Sequence, residues 1–168
     1  MPRIVDSFIA ELEHETAATK RALERVPGDK LTWKPHPKSF SLGQLALHIA
    51  ETPGAIAGMI TKDVMEMGQF EQGAAKSSAE LIPALEKSVH TAKEILSGMD
   101  DQKMMAIWRF KSNGKELMAL PRVALVRSIM LNHWYHHRGQ LTVYLRLLGI
   151  PVPSIYGPSA DENPFAGM

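Results

Sequence analysis

From Pro121 to Leu148 the chain carries no internal proline, and Gly149 and Pro151 follow at once. Proline suits the first turn of a helix, and glycine followed by proline ends one. The stretch therefore reads as one long helix. Helices in soluble proteins draw most of their stability from packing an apolar stripe against neighbours. A helix this long needs partners along its whole stripe, which points to a helical bundle.

Three earlier segments supply the partners. Ile4 to Val26 places Ile4, Phe8, Leu12, Ala22 and Leu23 at helical spacing, and Pro27-Gly28-Asp29 ends that helix. The connector from Leu31 to Phe40 holds Pro35 and Pro37, and Trp33 and Phe40 are expected to cap one end of the core. Ser41 and Gln44 form a capping box for a second helix reaching about Thr61, with a kink expected at Pro53. Gly68 to Ser77 reads as a polar loop. Ser77 and Glu80 form a second capping box, for a helix ending near Leu96, with Pro83 predicting irregular first turns. Asn113-Gly114, between Trp108–Lys111 and Lys115–Met118, is a two-residue hairpin signal. The Pro- and Gly-rich tail after Gly149 should lie extended over the surface. The expected fold is all-α: a four-helix bundle with a short hairpin between helices three and four, one domain over residues 1–168.

Composition narrows the function. A chain of 168 residues with formal net charge +1 and scattered basic residues gives no sign of nucleic-acid binding. No window approaches the roughly 20 apolar residues that span a bilayer. The N-terminus carries Asp6, Glu11, Glu13 and Glu15 where a secretory signal needs an apolar stretch. A cytoplasmic protein without a membrane partner is expected. There is no cysteine, so any thiol chemistry must use a thiol from outside the chain. The 10 methionines read first as adaptable core filler.

The long helix holds His133, His136 and His137, and the second helix holds His48. With His133 set at zero on a helical wheel, Tyr144 falls near about 20°, His137 near about 40°, and Met130 and Leu148 near about 60°. His137 then lies within the apolar stripe and His133 at its edge. His136, near about −60°, joins Ile129, Leu125 and Val143 on a lesser strip. It suits a supporting role or a subunit interface. The i, i+4 pair His133 and His137 is the best candidate for two metal ligands. His48 can face the same interior. A lone histidine on an apolar face is ordinarily a hydrogen-bonded core residue, so on pattern alone His48 is open to both readings. A shared ion would offset the desolvation cost of several buried imidazoles. His14, His36 and His90 read as structural or surface residues.

The segment Leu42 to Glu51 and the run from Asn132 to Leu141, continuing from Tyr144 to Glu162, resemble the DinB/YfiT-like family. That resemblance implies a four-helix bundle, usually a homodimer. It also implies a divalent metal, zinc or nickel, held by His48, His133 and His137. The family includes thiol-dependent transferases and isomerases beside many proteins of unassigned role.

Three neutral ligands with an open position form a catalytic rather than a structural pattern. Glu51, one turn beyond His48, is the candidate general base, and Tyr144 a candidate hydrogen-bond donor. The expected function is a metal-dependent hydrolase or thiol-dependent transferase acting on a small substrate, with a low-molecular-weight thiol as a partner. The alternatives are a non-catalytic, metal-stabilised, stress-associated homodimer, and an assembly module dimerising through His136 and the outer strip.

Overall fold

The computed structural model describes residues 2–68 and 71–166. Four long helical rods pack around one core, as the periodicity requires. They are α1 (Ile4–Glu24), α2 (Leu42–Met59), α3 (Leu81–Ser97) and a last rod from Arg122 to Leu147. The short helix α4 (Asp101–Met105) follows α3. The core stripe of α1 runs through Val5, Phe8, Leu12, Thr19 and Leu23, and that of α3 through Leu81, Leu85, Val89, Ala92 and Leu96.

The capping box at Ser41 forms as expected: Ser41 Oγ accepts from the Gln44 N–H, and Gln44 Oε1 accepts from the Ser41 N–H. The one expected at Ser77 does not. Ser77 makes no side-chain cap bond, and the Glu80 carboxylate accepts instead from the N–H of Lys76. A 3-10 turn over Ser78–Glu80 precedes α3, and Pro83 falls within its first turn, where a missing N–H costs little.

Helix α2 runs through Pro53 without a break. Proline removes the N–H that would reach the Ile49 carbonyl. The Trp134 indole N–H fills that role at 2.8 Å. Ser88 Oγ accepts from the Gly54 N–H and donates to the Glu51 carbonyl, repairing the neighbouring bonds. A Cβ at Gly54 would stand 2.9 Å from the Ser88 carbonyl oxygen, so glycine is what allows α2 and α3 to touch there.

The hairpin forms. Strand β2 (Ile107–Ser112) pairs antiparallel with β3 (Lys115–Pro121), and Asn113 and Gly114 both take positive φ, as a primed turn demands. A further strand, β1 (Val64–Glu66), adds parallel to β2 and was not legible in the sequence. Arg122, fully buried at the foot of the last rod, donates to the carbonyls of Ile60, Lys62 and Ala106 and so ties the sheet to α2.

The last rod is not a uniform α-helix. It comprises α5 (Arg122–Leu125), a π-helical segment (Val126–Asn132) and α6 (His133–Leu147). A π turn holds more residues than an α turn, so wheel angles do not carry across it. Leu125, assigned by the wheel to the lesser strip, is 1% exposed in the core. On α6 the buried face is centred on Trp134, Arg138, Leu141 and Leu145, with His133 and His137 on its flank rather than at its middle. The wheel missed this centre because the face passes through an arginine. Arg138 is buried against Glu15 of α1, at 2.7 Å.

The tail lies over α1 and α6 but is held by specific bonds. Asp161 accepts from Arg146 and the Val152 N–H, Glu162 from Arg25 and the Ser154 N–H, and the Tyr156 hydroxyl donates to Glu15. Among the described residues, no helix is long and apolar enough to cross a membrane.

Candidate metal centre

His48 projects from the middle of α2, and His133 and His137 from the first two turns of α6. The Nε2 atoms of His48 and His133 are 3.2 Å apart. Ring centroids lie 5.2 Å apart for His48 and His133, 4.6 Å for His48 and His137, and 4.4 Å for His133 and His137. One nitrogen from each half-buried ring falls within 4.8 Å of the others. Two imidazole nitrogens bound to one zinc ion at about 2.0–2.1 Å sit about 3.3 Å apart. The donor set and its spacing fit a divalent cation. Without an ion, the same 3.2 Å serves as an imidazole–imidazole hydrogen bond.

One hydrogen-bond partner orients a ring of the cluster. Gln140 Oε1 lies 2.7 Å from His137 Nδ1, which places the proton on Nδ1 and leaves the Nε2 lone pair free. The Ile129 carbonyl, in the π segment, favours the protonated form of His133, but burial outweighs it. Gln140 stands three residues beyond His137, so the sequence held that signal; the role of Ile129 depends on the π turn and was not readable.

Burial keeps the rings neutral. It pushes His48 down to about 4, and His137 and His133 oppose a further positive charge there. His133 and His137 are likewise lowered, first by burial. Neutral imidazole is the metal-binding form.

The cluster opens on a cavity of about 280 Å³ lined in part by His48, His133, Glu51 and Gln72. Glu51 is exposed at this cavity. Gln72 lies against His48, and its Oε1 is buried without a hydrogen-bond partner among the described residues. Gln72 belongs to the segment read only as a polar loop, of which residues 69 and 70 lie outside the described residues.

Tyr144 sits elsewhere. Its hydroxyl donates to the Phe40 carbonyl at 3.2 Å, and its ring meets Trp33 edge-on at 5.7 Å. It reaches the cluster only through Phe40, whose ring centroid is 6.1 Å from that of His48. Trp33 is half-buried and Phe40 36% exposed, so these two rings flank the site more than they cap the core. His136 is exposed, with its ring 5.0 Å from His137 and outside the cluster. His90 is exposed beside Glu94, and His36 Nδ1 accepts from the Lys38 N–H.

A helical bundle with three convergent histidines between its second and last helices is the class these features define. The DinB family model matches residues 1–164, and the chain belongs to the DinB family. It is 26% identical over 166 residues to the uncharacterized protein YrdA of Bacillus subtilis strain 168, covering 96% of this chain and 93% of that one. A DinB-like protein from Bacillus cereus ATCC 10987 superposes with a TM-score of 0.71 at 25% identity, over 90% of this chain and 97% of that one. The DinB-like protein YjoA of Bacillus subtilis shares the fold, with a TM-score of 0.65 at 18% identity over 89% of this chain and 97% of that one.

Proposed function

We propose that this chain is a divalent-metal-dependent enzyme acting on a small substrate, either as a hydrolase or as a thiol-dependent transferase. The observation that carries this reading is the convergence of three neutral imidazoles, two of which, His48 and His133, line a cavity that also presents a carboxylate. Among the described residues no carboxylate or further histidine joins the three, the donor count of a catalytic site rather than a structural one. A bound zinc or nickel ion would polarise the substrate and acidify a water or thiol. Glu51, at the cavity, accepts the proton that the attacking water or thiol gives up. Gln72 Oε1 offers an acceptor to a donor group on the substrate or nucleophile. Tyr144 acts at one remove, holding Phe40 beside His48. The thiol of a transferase reaction comes from outside, because the chain has no cysteine.

Metal analysis of the protein purified without a histidine tag tests the site. About one equivalent is expected, lost in His137→Ala, and retention of full stoichiometry in that variant would remove the ligand assignment. Turnover of an ester without added thiol marks the hydrolase. Turnover of an epoxide or haloaromatic only with added thiol marks the transferase.

A second reading, an assembly module that dimerises through His136 and the outer strip of the last helix, is favoured by one observation. Val143 and Leu147 are 57% and 61% exposed and follow the exposed His136 along the outer face of α6. Light scattering on wild type and Leu147→Glu tests it; a dimer that the substitution leaves intact would place the interface elsewhere.

A further inference from the structure

A second, larger cavity borders the histidine site. It measures about 530 Å³, within the range of small-molecule pockets, and its walls come from the end of α2, all three strands and the start of the last rod. Among the described residues, no charged side chain lines it. Trp108 and Phe110 stack at 6.0 Å with nearly parallel rings to form one wall, and the Trp108 indole is fixed by a bond to the Met59 carbonyl.

Two observations join this cavity to the histidines. Ile56 and Met59 line both cavities, so they form the common wall. Ile129 lines the apolar cavity and stands one turn before His133 on the last rod. Met59 is unbranched and adaptable, a divider that a ligand can displace.

We infer that the substrate of the three-histidine site carries an apolar tail of medium length that lies in this second cavity while its polar head meets the histidines. The inference rests on the proposed metal-dependent reading of that site. The volume and the continuity with the polar cavity select a single tail over a protein partner. Methionines at Met59, Met65 and Met118 let the walls adjust to tails of differing shape.

Alkyl hydroxamates test this, because the head binds a metal and the tail can be lengthened without changing it. The zinc-loaded full chain is titrated by calorimetry with a series from acetohydroxamate to decanohydroxamate. Affinity is expected to rise about fourfold per added methylene until the cavity is filled. Met67 and Met118 both line the cavity, and Met67→Glu and Met118→Glu place a charge there at positions 52% and 39% exposed, where folding tolerates it. Both should abolish the rise and leave acetohydroxamate binding intact.

A flat series with acetohydroxamate still bound overturns the inference while leaving the metal site standing. A rise that survives both substitutions places the tail elsewhere and also overturns it. A length effect lost at concentrations that drive self-association would put a second copy of the chain in the cavity instead. If acetohydroxamate itself fails to bind the zinc-loaded protein, the metal-dependent reading falls and this inference falls with it.

Discussion

Trp134 donates its indole N–H to the carbonyl of Ile49 over 2.8 Å, one residue from His133 on α6 and one residue from His48 on α2. The bond exists because Pro53 leaves that carbonyl without its intrahelical partner. A gap in one helix thus becomes the peg that aligns two histidines across the bundle.

Trp134→Phe keeps an aromatic ring, smaller than the indole, and removes the peg. Leaving the buried Ile49 carbonyl unsatisfied is expected to cost about 1–3 kcal/mol. Urea unfolding of the metal-free protein reads this directly, and metal affinity should fall with it. An unchanged midpoint would mean that another group serves the carbonyl.

Gln140→Leu leaves all three candidate ligands in place. It removes only the acceptor that fixes the proton on His137 Nδ1. Loss of such an orienting partner typically weakens metal binding by about 10–100-fold. Competition against a chromogenic chelator measures the change, and wild-type affinity would deny Gln140 its orienting role.

The metal-free protein should lose stability as pH falls from the ordinary histidine range toward about 4, the value to which burial first, and then His137 and His133, lower His48. The sign follows from proton counting. In that window the unfolded chain binds protons that the folded rings refuse, so acid favours unfolding. Carboxylates held low by their partners, such as Glu11 beside Arg127, add their losses from the ordinary carboxylate range downward, so only the upper part of the window belongs to the histidines alone. Urea midpoints taken across this range should show the fall, and His48→Gln should flatten its upper part. A wild-type midpoint that stays constant there would contradict the burial of these rings.

Arg138 and Glu15 meet at 2.7 Å with side chains 2% and 8% exposed, and Arg138 also donates to Thr19 Oγ1 and to the Tyr156 hydroxyl. Arg138→Met strands the Glu15 carboxylate and is expected to cost about 3–5 kcal/mol. Tyr156→Phe removes two hydrogen bonds, one donated to Glu15 and one accepted from Arg138, and should cost about 1–3 kcal/mol, freeing the tail before the bundle unfolds. Limited proteolysis near Ser154 separates the two variants, because only the second should expose the tail in an otherwise folded chain.

The histidine pair was legible because i, i+4 spacing on one helix is local geometry, and His133 and His137 do share a direction. So were the four rods, the Ser41 cap and the Asn113-Gly114 turn, each set by residues a few positions apart. The centre of the α6 face was not legible. A helical wheel treats Arg138 as a surface residue, and only Glu15, more than a hundred positions earlier, makes its burial affordable. The π segment escaped for a related reason, since nothing in Val126–Asn132 departs from ordinary helix composition.

The sequence by itself determined an all-α bundle, a hairpin between its last two long helices, and the residues able to ligate a metal. Periodicity, capping and turn chemistry act over single turns of chain, so they can be read in one dimension. Tertiary structure alone decided that His48 meets His133 at 3.2 Å, that Gln72 lines their cavity, and that an apolar cavity borders the site. Those relations depend on the rotation and register of helices about one another, which long-range bonds such as Trp134 to Ile49 set and which no local pattern encodes.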